Sequence, residues 1–316
     1  MKFRKKIFAI LMAVVVIFAQ TSCANNDKND NSNSNASSNA TEKTLKVGVS
    51  ISTLNNPFFN FLKEEIVKNC EKNNIEVVVA DAQNDSAQQA NDMDDFIQQS
   101  VDAIIVNPVD SSAITTSVES ANESKIPVIT VDRASEGGEV LASIVSDNVL
   151  GGEKAGDYLV DKLGENAEVA VVEGIPGASA TNERLEGFKK VADKKLKIVA
   201  SQAGDFDRGK SLKVTEDILQ SNPEIKGIFA GNDESALGVM EALEAADRTD
   251  IIVVGFDGSD EAKKSIKDGK LNATIGQRFD LIAKKAVESV IKNQNKEKVE
   301  KQQNIEVELL DKDNIK

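Results

Sequence analysis

Asparagine, aspartate, arginine and glutamine recur in this chain where short apolar runs end, and phenylalanine is interleaved with them. Asn56 is followed by Pro57, Phe58 and Phe59, Asn107 by Pro108, and Val131 by Asp132 and Arg133. Further on come Arg184, Phe206 between two aspartates, Asn232 before Asp233-Glu234, Phe256-Asp257-Gly258, and Gln277. All four polar types are planar and can make two hydrogen bonds at once. Paired hydroxyls of a sugar offer matching acceptor–donor pairs, and a phenylalanine face matches the C–H face of its ring. Asp132 and Asp257 also suit a second chemistry, the acid and base of a carboxylate-pair hydrolase. The chain has no histidine, which excludes a serine-type triad and an imidazole metal site.

Each of these residues has a plainer reading. Asn56 and Asn107 precede prolines, which force extended backbone and suit a loop stop as well as a rigidly aimed side chain. Asn232 could simply cap the following helix, and Asp257-Gly258 could be a turn. Arg184 beside Glu183 could be a solvated pair on a helix, and Phe58 and Phe59 could fill a core. What argues for a shared role is position, at the ends of successive apolar runs.

Those runs must be strands. Leu45–Ile51, Ile75–Ala80, Ala103–Val106, Val128–Val131 and Val140–Val145 are short and apolar. Helix-period segments lie between them, near Phe59–Asn73, Ser86–Gln99 and Ser111–Glu123. After Asn148 the theme repeats. Strands are expected at Glu168–Val172, Lys197–Ser201, Gly227–Ala230, Ile251–Phe256 and Leu271–Ile275, with a late one at Ile305–Leu309. Helices are expected near Leu150–Leu163, Ser179–Ala192, Asp207–Gln220, Glu234–Ala246, Asp260–Lys267 and Leu281–Asn293. Fully apolar strands alternating with helices predict parallel sheets covered on both faces. Two such sets predict an α/β protein of two doubly wound lobes, joined by a multi-strand hinge. In open parallel sheets ligands bind beyond the carboxyl ends of the strands, where the polar residues above stand.

The chain of 316 residues is long enough for two full cores. Its formal charge is −14. Residues 1–22 hold four basic residues (Lys2, Arg4, Lys5 and Lys6) and no acid, so the rest carries −18. So acidic a body excludes nucleic acid as a partner, since phosphate binding needs a basic face. The basic start and the apolar run Ile7–Ala19 read as a signal peptide, too short to span a bilayer. Thr21-Ser22-Cys23-Ala24 then resembles a lipoprotein cleavage site with Cys23 lipidated, although Gln20 stands where leucine is usual. The alternative is ordinary cleavage after Ala24. Residues 23–44 are rich in Asn and Ser and form a flexible tether. A lipid anchor there would hold the body to the outer face of a membrane. Cys70 falls in line with Leu62 and Ile66 as a core thiol.

The stretches STLNNPFF at 52–59, IPVITVDR at 126–133, SDNVLGG at 146–152, DFDR at 205–208, NDESALG at 232–238, VVGFDG at 253–258 and DGKLNATIGQ at 268–277 carry a further signal. Through them the chain, from about Leu45 to Leu310, resembles the type I periplasmic-binding-protein family, and within it the ribose receptors. The resemblance implies a ribose-contact set of Asn56, Phe58, Phe59, Asn107, Asp132, Arg133, Arg184, Phe206, Asn232, Asp257 and Gln277. It implies no enzyme activity and no cofactor. It implies a monomer that closes over D-ribose and delivers it to the permease of an ABC importer, with a chemoreceptor as a second candidate reader. The implied lobes are 45–146 with 279–303, and 147–277 with 305–312. They cross over near Ser146–Asp147, Gln277–Arg278 and Gln303–Ile305. The Gly174–Gly177 loop departs from the family in being stiffened by Pro176. Readings that stay open are a receptor for allose, galactose or a furanosyl signalling compound, an anion at the Gly174–Gly177 loop, and the hydrolase. A repressor core of the same fold is opposed by the signal peptide.

Overall fold

The computed structural model describes residues 44–315. The signal segment, Cys23 and all of the tether but Thr44 lie outside the described residues. From Lys46 the chain runs β1 (Lys46–Ile51), α1 (Pro57–Lys72), β2 (Glu76–Asp81), α2 (Ser86–Gln98), β3 (Ala103–Val106), α3 (Thr115–Glu123), β4 (Val128–Val131) and β5 (Ala142–Ser146). It continues with α4 (Asn148–Leu163), β6 (Glu168–Glu173), α5 (Ser179–Lys195), β7 (Lys197–Ala203), α6 (Arg208–Ser221) and β8 (Gly227–Ala230). Then come α7 (Asp233–Ala245), β9 (Ile252–Asp257), α8 (Asp260–Lys267), β10 (Ala273–Gly276), α9 (Phe279–Gln294), β11 (Gln302–Ile305) and β12 (Glu308–Asp311).

The strands form two six-stranded sheets, in the orders β11-β5-β4-β3-β1-β2 and β12-β10-β9-β8-β6-β7. The two orders match position for position, and five parallel strands of each lobe share one topology; only the edge strands β11 and β12 differ in direction. Each order reverses direction beside its first strand, at β1/β3 and at β6/β8, and such a switch opens a crevice beyond the strand ends. Burial explains why the strands read as unbroken apolar runs. Neighbouring strand residues point to opposite faces, and Ile105 packs into a cluster with Leu62, Ile129 and Ala286 while Ile104 packs with Met93, Phe96 and Val118. Likewise Val169 and Val171 face one core of the second lobe, and Ala170 and Val172 the other. Cys70 is free and fully buried in the first lobe.

The end of the chain departs from expectation. In place of one late strand at Ile305–Leu309 there are two. β11 is parallel to β5, with Ile305 opposite Ser146, and β12 is antiparallel to β10. Ile305 thus belongs to the first sheet rather than the second, and the last crossover falls at Glu306-Val307. Gln302–Ile305 is polar because it is an edge strand, which must bury only one face. Helix α9 returns to the first lobe, where Ile282, Ala283, Ala286 and Val290 join the core that holds β1 and β5. No helix among the described residues is long and apolar enough to cross a membrane.

Candidate functional site

The polar residues singled out from the sequence converge because both sheets aim their carboxyl ends at one gap. Asn56, Phe58, Phe59, Asp132 and Arg133 from the first lobe, and Arg184, Phe206, Asn232 and Asp257 from the second, line a single small cavity with Gln277. Its empty volume is about 250 Å³ with its open mouth included. A larger groove, about 1720 Å³ counted the same way, runs along the crossovers past Lys154, Arg278 and Glu306. Apart from Gln277, no buried polar side chain converges there, so the chemistry lies in the smaller space.

Asn56 caps α1, its side-chain oxygen accepting from the Phe58 amide at 2.9 Å while Pro57 opens the helix. Asn232 caps α7 in the same way, accepting from the Ser235 amide at 2.9 Å. The plainer reading of Asn232 as a helix cap is therefore true, Asn56 is a cap as well, and both residues still face the cavity. Each cap uses the amide oxygen and leaves the side-chain N–H₂ group for another partner. Phe58 and Phe59 also serve twice. They meet edge to face at 5.4 Å, belong to the core of the first lobe, and form the cavity wall. Phe256, at its strand end, does not reach the cavity: it is fully buried in the second core, with the Arg184 guanidinium 3.7 Å from its ring centroid.

Asn107 is placed differently from the rest. Its side-chain oxygen accepts from the amide and hydroxyl of Ser52, at 3.2 and 2.6 Å. Its amide donates to Val131 O and to Asp132 Oδ2, each at 3.2 Å. It stands behind Asp132 and is not among the lining residues. Asp132 itself is 3% exposed and sits in the left-handed region at φ 64°. Phe206 (φ 56°) and Asp257 (φ 126°) are held at positive φ as well. Such conformations cost on the order of 1–3 kcal/mol each.

Charge is balanced inside the cavity wall by two carboxylates and two guanidiniums. Arg133 lies 3.6 Å from Asp132, and Arg184 lies 3.8 Å from Asp257. Neither pair is in hydrogen-bonding contact. Arg133 donates to Pro108 O at 2.9 Å, while its Nε is buried without a partner. Arg184 donates to Asn148 Oδ1 at 2.9 Å and to Gly231 O at 2.8 Å, and at 4% exposed it is no solvated surface pair. Gln277 donates to Asp257 Oδ1 at 2.8 Å and receives the Ser146 hydroxyl at 2.5 Å, tying the end of β5 to the second lobe. Among the described residues no protein donor reaches the second oxygen of Asp132 or of Asp257.

Burial pushes the Asp132 carboxyl above its ordinary value, against the pull of Arg133, Arg184 and Asn107. Burial raises Asp257 well above it too, opposed by Arg184 and reinforced by Asp233. The same desolvation brings Arg133 down to about 10 and lowers Arg184. A hydroxyl donated to either carboxylate would restore part of the solvation that burial removed. Arg133 lies between aromatic rings of both lobes, 5.1 Å from Phe59 and 5.7 Å from Phe206.

The reading of the sequence missed Ala180, which completes the wall from the first turn of α5. A small apolar residue carries no signal of such a role. It also missed Asn148, which orients Arg184, and Asp233, which lies behind Asp257.

A family profile described as the periplasmic binding protein domain matches residues 47–298. The ribose import binding protein of Bacillus subtilis is 52% identical over 248 residues, 78% of this chain and 81% of that protein. The ribose import binding protein of Escherichia coli is 44% identical over 265 residues, 84% of this chain and 90% of that protein. Among solved structures, an ABC transporter solute binding protein from Bacillus halodurans with bound myo-inositol superposes with a TM-score of 0.82 at 32% identity. That match covers 86% of this chain and 96% of the other. The two matching sheets, the crevice between them and a profile that spans both lobes agree: the chain belongs to the periplasmic binding protein family.

Proposed function

We propose that this protein is the extracytoplasmic ribose-binding component of an ABC importer. D-ribose is held between the two lobes and handed to a membrane permease. The observation that carries the reading is the small cavity in which two buried carboxylates keep an open oxygen each and Arg133 keeps an unpartnered Nε. That is a cage for several hydroxyls on one small molecule. The names of the relatives at 52% and 44% identity support ribose as that molecule. A second reading, another small polyol or sugar in the same cage, is supported by the myo-inositol in a relative of the same fold at 32% identity.

The proposed set is the eleven residues named from the sequence, ten in the wall and Asn107 aiming Asp132 from behind. The proposed lobes are 45–146 with 279–305, and 147–277 with the terminal strand. The crossovers at Ser146-Asp147, Gln277-Arg278 and Glu306-Val307 would act as the hinge. A pentose offers roughly ten non-hydrogen atoms, and the best small ligands reach about 1.5 kcal/mol per atom. Micromolar affinity, about 8 kcal/mol, is therefore within reach of a fully caged sugar. The closed form presents a surface made of both lobes, which a permease or a chemoreceptor could read. No catalytic step is proposed: with each carboxylate occupied by a sugar hydroxyl, no position is left for an attacking water. Lipidation of Cys23 would anchor this monomer outside the membrane, and radiolabelled palmitate should mark the full chain but not Cys23→Ser.

Calorimetric titration of refolded, sugar-free protein with D-ribose, allose, galactose, xylose and arabinose tests the reading. We expect tight one-to-one binding of D-ribose alone. A response to a different sugar, with none to ribose, would move the specificity to the second reading.

A further inference from the structure

Away from the crossovers the lobes share a set of direct hydrogen bonds. The loop after β3 meets the loop after β6 there, and the polar contacts run from protein to protein. The Ser111 amide donates to Gly177 O at 3.0 Å. The Ser179 amide donates to the Ser111 hydroxyl at 3.1 Å, and the Ala134 amide donates to the Ser179 hydroxyl at 2.9 Å. Ser111 and Ala134 belong to the first lobe, Gly177 and Ser179 to the second. Neither serine lines the sugar cavity.

Both sides are rigidly presented. Asp110 Oδ1 accepts from the amides of Ser112 and Ala113, at 2.9 and 2.7 Å, and Ser111 O accepts from the Glu136 amide at 2.8 Å. Ser111 is 1% exposed. Gly177 sits at φ 90°, and a Cβ there would overlap the Asp110 carboxylate. A glycine is required for the two loops to come this close. The leverage is large, since β6 stands four strands from β12 at the hinge edge, about 19 Å at sheet spacing. A small rotation about the crossovers breaks every one of these bonds, and in the open form the freed amides return to water.

We infer that Ser111 and Ser179 form a direct latch between the lobes, which sets the stability of the closed form and hence affinity without selecting the sugar. The latch presupposes the clamp proposed above. Affinity scales with the fraction of protein able to close. The latch adds to closure by the same amount whichever ligand is caged. It acts after closure, so it slows release and leaves association alone. Its bonds join uncharged groups, so salt leaves it unaltered.

The test uses the full chain and the variants Ser111→Ala, Ser179→Ala and the double variant. Stopped-flow release of D-ribose should speed up about fivefold in each single variant, the scale of one hydrogen bond lost at a half-buried amide, with the association rate unchanged. The ratio should be the same at low and high salt, and any second sugar that binds should lose the same factor. Thermal midpoints without ligand should stay within about two degrees, which separates a latch from a folding defect. Fluorophores at Lys72→Cys in α1 and Glu216→Cys in α6, both exposed, report the interlobe distance without ligand. The closed fraction should fall in the variants. Wild-type protein that does not bind ribose would sink the ribose reading, while the interlobe distance still decides the latch. Release rates and closed fractions equal to wild type in all three variants would overturn it.

Discussion

Asp132 has one carboxylate oxygen without a protein donor while Asn107 takes the other, and Asn107 can do so because Ser52 fixes its own amide. Such chains of support recur. Arg184 is aimed by Asn148 and backed by the ring of Phe256. Asp257 is held by Gln277. Truncating one of these charged groups would remove its proposed bonds to the sugar and leave an opposite charge buried alone. We expect Asp132→Ala and Arg184→Ala to weaken ribose binding by at least about 100-fold, near 2.7 kcal/mol, with circular dichroism unchanged. Asp132→Asn, which tolerates the left-handed backbone, separates charge from shape. Near wild-type affinity in the alanine variants would mean that the site has been misassigned.

Strand ends and helix starts do the positioning at the scale of elements. Asp233 opens α7 and is 1% exposed. It accepts from Thr274 of β10 at 2.6 Å and from the Ser259 amide beyond β9 at 2.7 Å. It thereby ties three elements around Asp257. Burial pushes its carboxyl up to about 6 from 3.8. Below about pH 4 the carboxyl is protonated in both states and its contribution to stability is full; between about pH 4 and 6 the folded chain keeps the proton that the unfolded chain has lost. That stability is lost as pH rises towards 6, on the order of 3 kcal/mol for this group. Asp233→Asn cannot ionise and has no such dependence. Thermal melts from pH 4 to 7 should show the stability of wild type falling relative to Asp233→Asn across that window. A constant offset would show that Asp233 does not titrate there. The strands themselves were legible because Ala103–Val106, Val128–Val131 and Gly227–Ala230 are buried on both faces and apolar but for Thr130. The polar edge strand Gln302–Ile305 escaped notice for the opposite reason.

The described residues form two lobes of like strand order joined by three short crossings, and the proposed clamp would rotate about these while each core stays intact. Every hydrophobic cluster lies within one lobe's elements, apart from Val307, which sits at a crossing. Opening therefore exposes little apolar surface and calls mainly on polar contacts in the cleft. Small-angle scattering should show the radius of gyration falling when D-ribose is added to sugar-free protein. No change on saturation would count against a hinged clamp.

The sequence by itself determined the two α/β sets and the polar and aromatic residues at their strand ends. Burial periodicity and turn chemistry are local properties of a chain. Tertiary structure alone decided which way those residues turn. It set Asn107 behind Asp132, sent Phe256 into the core beneath Arg184, and let Phe58 and Phe59 serve as core and wall together. It brought Ala180 to the wall and turned β12 antiparallel. It set Ser111 against Ser179, 68 positions apart. A side chain's direction depends on partners distant in sequence, and no local pattern encodes them.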